Sequence, residues 1–221
     1  MNRYPSLPYI APFAVFMGFL ALHTVLPLPD LADQIVRILL VGAVLLTISR
    51  PVLDLRVRNL FATLGVGVAV FLLWIAPDLM WPTYRQFWLF TNSITGAAQS
   101  TLSDAGKHDA LVLGLRSFRA VIIVPIIEEL FWRAWLMRWI IRPDFQKVPL
   151  GTYSAASFWI VAALFASEHG PYWEVGLMAG VAYNWWMLRT RSLGDLILAH
   201  AVTNALLCGY VIAAGKWEYW L

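Results

Sequence analysis

One cysteine, Cys208, is all that the 221 residues contain, which excludes an internal disulfide and any metal cluster built from thiolates. Charge is scarce too. Asp, Glu, Lys and Arg make up only 13% of the chain, too few to coat a soluble globular domain. Basic residues outnumber acidic ones by 16 to 13, but no basic tract or aromatic binding motif accompanies the excess, so nucleic acid is not an expected partner. No polar linker or low-complexity stretch divides the sequence, and a single domain over 1–221 is expected. No small-residue cleavage site follows the first apolar run, which is therefore read as a retained span. The helix His-Glu-x-x-His, which presents two imidazoles to zinc, is also missing.

What the chain has is hydrocarbon. Hydrophobic residues make up 60% of it and the mean hydropathy is +0.68, values that belong in a bilayer. The fold class expected is all-α, a polytopic transmembrane helical bundle of about seven spans, with six and eight as bounds. The runs are Pro8 to Leu26, stopped by Pro27 and Pro29; Asp33 to Ser49; Leu60 to Ala76; Leu111 to Ile141; Tyr153 to Glu168; Val175 to Leu188; and Leu193 to Ala214. Between Pro77 and Asp109 the composition is mixed, with Trp81, Tyr84, Trp88 and Phe90 beside Asn92, Gln99 and Ser103. Such a stretch reads as interfacial or partly re-entrant, with room for a broken eighth span.

Lys and Arg in short loops are retained on the cytoplasmic side. By that rule the connections holding Arg50, Arg56 and Arg58, then Arg138, Arg142 and Lys147, then Arg189 and Arg191, face the cytoplasm. Asp30 and Asp33 fall outside. Arg116 and Arg119 weigh against this orientation, since they stand near the outer start of the fourth span.

The unusual polarity lies in the last four spans. Glu128, Glu129 and Arg133 interrupt an apolar helix, where each charge costs about 2.5–3.5 kcal/mol on insertion scales. Four residues apart, Glu129 and Arg133 share a helix face in the acid-then-base order that favours pairing, and Glu128 is turned about 100° away. A buried ion pair that fixes packing accounts for the first two and leaves Glu128 unexplained. Pro125 cannot donate to the Val121 carbonyl, so a kink is expected there. Apolar surroundings and the nearby arginine act in opposite senses on Glu128, which would leave it able to take a proton from water.

His169 ends the fifth run, a common place for an interfacial histidine. His200 and Asn204 are four apart on the seventh and point the same way, as an interhelical hydrogen bond would also require. Gathered together, these carboxylates, imidazoles, guanidinium and amide supply what peptide hydrolysis needs: a base for water, a group to orient it, and donors for the oxyanion. Ser167, Ser192 and Cys208 are nucleophiles on paper, although small residues in membrane helices usually serve packing.

In order, Glu128-Glu129-x3-Arg133, Phe165-x3-His169 and His200-x3-Asn204 resemble the three motifs of the CAAX protease and bacteriocin-processing family of intramembrane endopeptidases. The likeness covers roughly Val121 to Leu207, and Leu188 to Gly194 resembles the family's lead-in to the last motif. It implies a catalytic core over 110–214, with 1–109 forming spans and an interfacial segment without motifs. It further implies that Glu128 activates water with help from His169, that His200 and Asn204 donate to the oxyanion, and that Glu129 and Arg133 support the site. Substrates of the family include prenylated carboxyl-terminal tails and bacteriocin-type peptides. The setting implied is an integral membrane protein, in bacteria that of the cytoplasmic membrane, with membrane lipids and a peptide or protein substrate as partners and no assigned oligomeric state. Two departures stand out: Trp132-Arg133-Ala134 replaces the family's Phe-Arg-Gly, and Glu168 is an added acid beside His169.

No cofactor is expected. A divalent metal such as zinc is the open alternative, held by Glu128, Glu129, His169 and His200, although an arginine beside the carboxylates repels a cation. Buried ionisable groups also mark proton and ion pathways, so a transporter or channel is a competing reading, and a catalytically silent scaffold another. The first three spans carry no counterpart of the polar groups, which disfavours an inverted-repeat transporter. One conflict remains in straight helices: His169 falls near the outer end of its run and His200 near the inner end of its own.

Overall fold

The computed structural model describes residues 4–22, 25 and 28–220. Among them are seven helices and no β-strand: α1 (Leu7–Leu22), α2 (Asp30–Val52), α3 (Leu60–Met80), α4 (Ala110–Ile141), α5 (Ala155–Ser167), α6 (Trp173–Thr190) and α7 (Leu193–Ala214). The protein is an all-α helical bundle. α2, α3, α4 and α7 are long and apolar enough to cross a bilayer. Leu39, Leu46, Phe61 and Leu72 are exposed on the outside of α2 and α3, the surface that lipid would cover. The expected stop of α1 at Pro27 lies outside the described residues.

The stretch between α3 and α4 holds no eighth span. α3 runs on through Pro77 to Met80, and residues 81–109 form turns and two short 3₁₀ segments. Its anchor is Arg85, which pairs with Asp78 at 3.0 Å and Glu174 at 2.7 Å and donates to the Pro171 carbonyl at 2.7 Å. Tyr219 adds its hydroxyl to Asp78 at 2.8 Å. These contacts fasten the α5–α6 turn to that end of the bundle.

The basic connections meet at the other end. Ser192 Oγ donates to the Arg56 carbonyl at 3.2 Å, Gly151 packs against Met187 and Arg191, and Arg138 reaches the Val148 carbonyl at 3.2 Å. Arg116 and Arg119 are not loop charges, since both are buried within the bundle. They therefore drop out of the count that sets orientation.

α5 is shorter than expected. Its 13 residues rise about 20 Å from the basic end, well under the ~30 Å of hydrocarbon, before Gly170 takes φ 50° and turns the chain into α6. His169 thus stops inside the bundle. His200 is one turn past the first turn of α7, roughly 10 Å from that helix's start. The remaining offset is filled by Phe165, whose ring packs against His169 at 4.8 Å and against His200 at 6.2 Å between centroids. The apparent conflict between the two histidines arises from drawing α5 as a full span.

α7 is fixed to α3 in two ways. Asp195, fully buried at its first turn, accepts from the backbone amides of Arg58 and Asn59 at 3.0 and 2.9 Å and from Thr63 Oγ1 at 3.1 Å. Further along, Gly67 lets the two backbones touch: a Cβ there would stand 2.6 Å from the Ala199 carbonyl oxygen and 2.7 Å from Val202 Cβ. Thr203 Oγ1 donates to the Gly67 carbonyl at 2.9 Å. Close approach of this kind is what small residues contribute where no water drives helices together. Gly65, two residues away, has open space. We expect Gly67→Leu to lower the melting temperature in detergent by several degrees, consistent with overpacking costs of about 1–3 kcal/mol, and Gly65→Leu to leave it near wild type. Equal melting of the two variants would contradict this packing.

Candidate active site

α4 departs from regular helix on both sides of its glutamates. Pro125 has no amide to donate, and a π-helical turn at Arg119–Ile123 precedes it; a second covers Leu130–Leu136. Widened turns of this type are frequent at functional sites. Between them, Val124–Glu129 is α-helical. Both carboxylates point inward, Glu128 at 8% exposure and Glu129 at 0%.

One oxygen of Glu129 serves two partners. Oε1 lies 3.2 Å from Arg133 Nη1 and 2.8 Å from His200 Nδ1. Arg133, itself fully buried, donates through Nε to Asn184 Oδ1 at 2.9 Å and through Nη2 to the Gly180 carbonyl at 3.4 Å, and its guanidinium lies 4.4 Å from the Phe165 ring centroid. Asn184 in turn donates to the Phe158 carbonyl at 2.8 Å. The His200 ring stacks on Tyr183 at 5.0 Å, and the Tyr183 hydroxyl donates to Thr203 at 2.8 Å. With Nδ1 committed to Glu129 and one face to Tyr183, the ring has a single orientation.

That orientation brings Nε2 of His200 to 4.0 Å from Glu128 Oε2. The carboxylate oxygen is buried and has no hydrogen-bond partner among the described residues. The separation is too long for a direct bond and short enough for a water to touch both groups. His169 Nδ1 lies 2.8 Å from the Phe165 carbonyl. A carbonyl can only accept, so Nδ1 carries the proton and Nε2 is left as an acceptor. Trp74 of α3 packs edge-on to this ring at 5.1 Å, and Gly176 of α6 lies against it. Asn204 Nδ2 donates to the Ala120 carbonyl at 2.8 Å, at the π-helical turn.

Glu128, His169, His200 and Asn204 line one cavity of about 460 Å³, together with Glu168. Glu168 Oε2 accepts from the Trp132 indole at 3.1 Å, so the two positions that depart from the family pattern are partners. Glu129 and Arg133 sit behind the cavity wall. The serines weighed as nucleophiles are engaged elsewhere: Ser167 donates to the Leu164 carbonyl and Ser192 to that of Arg56. Cys208 lines the same cavity, buried among Tyr219, Trp220 and Val211. Among the described residues, no three His, Cys, Asp or Glu side chains converge to hold an ion. Glu129, which would have to be one ligand, is instead shared by a guanidinium and an imidazole.

Reading the sequence alone misses Asn184 and Tyr183. Asn184 had a signal, being an amide in the middle of an apolar helix, whereas Tyr183 has none beyond its neighbour. No curated protein and no solved structure matches the chain. Residues 111–206 do match a family model, that of the type II CAAX prenyl endopeptidase Rce1-like proteins. This stretch holds all three motifs, whereas Trp74, which packs on His169, lies outside it. Over that stretch the chain, an integral membrane protein, is similar to the Rce1-like type II CAAX prenyl endopeptidases.

Proposed function

We propose that the protein is an intramembrane endopeptidase in which Glu128 is the general base for a metal-free hydrolysis. The observation that supports this best is the buried, unpartnered Glu128 Oε2 at 4.0 Å from His200 Nε2, in the cavity that His169 and Asn204 also line. In this reading a water lies between Glu128 and the Nε2 lone pair of His169. Glu128 takes one of its protons, and the hydroxide adds to the scissile carbonyl carbon. The oxyanion receives hydrogen bonds from His200, when Nε2 carries a proton, and from the second amide hydrogen of Asn204. Glu128 then returns its proton to the amine nitrogen as the peptide bond breaks, leaving a new carboxylate and a new amine.

Glu129 and Arg133 act one step back. The carboxylate holds His200 by Nδ1, and the guanidinium holds the carboxylate, so the oxyanion donor is fixed before substrate arrives. Preorganised donors of this sort stabilise charge without reorganising during the reaction. The basic end of the bundle faces the cytoplasm in this reading. The substrate is a membrane-associated tail, lipidated or of bacteriocin type, that enters a cavity lined by Phe16, Met17 and Leu20 of α1.

Purified protein in neutral nanodiscs, tested with a fluorogenic peptide, checks the base. Glu128→Gln is expected to lose roughly 10²–10⁴-fold in turnover, the range for a general base, and to go on binding the peptide. Wild-type turnover in that variant would remove Glu128 from the mechanism, and proton flux into sealed vesicles without any peptide cleavage would favour the transporter reading. A second measurement addresses the metal. Activity is expected to persist in excess of a strong chelator; its complete loss, reversed by zinc alone, would overturn the metal-free scheme.

A further inference from the structure

The end of the cavity away from Glu128 holds a cation that the proposed hydrolysis does not use. Arg119 lines the cavity at 7% exposure and makes no hydrogen bond or ion pair among the described residues, and its Nε is buried without a partner. The charged groups around it are Arg116, Arg37 and Asp33. Asp33 is held by Arg37 at 2.7 Å, and Asp30, on the same cavity wall, accepts from Ser103 Oγ. Arg119 is thus a buried guanidinium whose nearest carboxylates are engaged elsewhere. A charge left so in a membrane protein is a functional site by default, and the fork of a guanidinium matches the paired oxygens of a phosphate.

The walls and the depth identify the source of the phosphate. The Phe16 ring lies 5.7 Å from the Arg119 guanidinium carbon, and Met17 and Leu20 continue α1 along the cavity. Leu20 is also 42% exposed on the outside of the bundle. The cavity therefore opens past α1 toward hydrocarbon, and an apolar path leads from lipid to the buried cation. α4 has 32 residues and rises about 48 Å, against ~30 Å of hydrocarbon. With the helix centred in the bilayer, Arg119 lies roughly 14 Å from its Ala110 end and about 5 Å inside the hydrocarbon edge. A side chain as long as arginine reaches the headgroup layer from there. Glu128 is another nine residues further in. A free phosphate ion would have to shed its hydration to follow the apolar path, whereas a lipid phosphate arrives with chains that suit it.

We infer that Arg119 is a binding site for the phosphate of an anionic membrane phospholipid, whose acyl chains leave the cavity along Phe16, Met17 and Leu20 of α1. Basic pockets between membrane helices hold anionic headgroups by this kind of pairing. The phosphodiester takes the fork of the guanidinium, and Phe16 covers one face of it. A zwitterionic lipid offers the same phosphate together with a trimethylammonium group, which the neighbouring guanidiniums of Arg37 and Arg116 disfavour. The site needs neither Glu128 nor His200, so it stands apart from the proteolytic reading.

Native mass spectrometry tests this on the purified wild-type protein in detergent, offered equal amounts of phosphatidylglycerol and phosphatidylcholine with identical acyl chains. Phosphatidylglycerol is expected to be retained with roughly tenfold preference, the effect of one charge-assisted contact. Arg119→Gln should bring the preference close to one, and Arg119→Lys should keep part of it. Arg142→Gln, which removes an exposed arginine outside the cavity, should leave it unchanged. Equal retention of the two lipids by wild type would overturn the inference. A preference that survives Arg119→Gln would do the same, since the lipid would then sit on the outer surface. Glycerol 3-phosphate, a headgroup without acyl chains, serves as competitor at the lipid concentration; displacement of phosphatidylglycerol by it would make this a site for soluble phosphate and overturn the lipid assignment. A thermal melt of wild type checks the point without any variant. Phosphatidylglycerol should raise the melting temperature by a few degrees over phosphatidylcholine, and equal temperatures would count against the site. Neither readout involves cleavage, so failure here leaves the proposed hydrolysis untouched, and failure of the hydrolysis leaves the lipid site untouched.

Discussion

A single carboxylate oxygen, Glu129 Oε1, carries the architecture of the site. It is completely buried and touches both Arg133 and His200, so it joins α4 to α7, and through Arg133 to Asn184 and Gly180 of α6. Isolated, any one of these charges would be expelled from the interior or neutralised. Together Glu129 Oε1, the guanidinium and the imidazole satisfy one another, with Oε2 left unpartnered among the described residues. Removing one member strands the others, a costly defect in a low-dielectric core. The consequence for chemistry is geometric. Glu128 needs no partner of its own because its neighbour in sequence has already fixed the imidazole that faces it.

The division of labour between adjacent glutamates follows from helix geometry. Consecutive residues point about 100° apart, so one carboxylate can look back into the protein and the other into the cavity. The π-helical turns on either side adjust where those directions lead. Glu168 and Trp132 show the same economy, since the two departures from the family pattern hydrogen-bond to each other. Trp132, beside Arg133, and Glu168, beside His169, are thereby tied together between α4 and the end of α5.

Much of this is legible in the sequence, for definite reasons. Helix positions can be read because apolar runs are long and their ends are marked. α7, for example, begins after Ser192, which caps the Asp195 amide, and ends at Gly215 with φ 65°. The pairing of Glu129 with Arg133 follows from a local spacing of four. What escapes is long-range. Nothing near Glu129 announces His200, 71 positions away, and Asp195 looks like an ordinary first-turn acid although it binds backbone amides more than 130 residues distant. The exact length of α5 escapes too, because an apolar run fixes helix ends only to within a few residues. Of the residues around the cavity, the motif positions stand out and their packing partners, Tyr183 and Trp74, do not.

α3 lies outside the matched stretch and bears none of the motifs, yet its Gly67 seats the backbone of α7 beside Ala199, and its Trp74 closes over the ring of His169. A protein trimmed to the recognisable segment would therefore keep every reactive atom and lose the wall those atoms lean on. Heredity in this chain is written along one half, while the mechanical reference frame for its chemistry is supplied by the other.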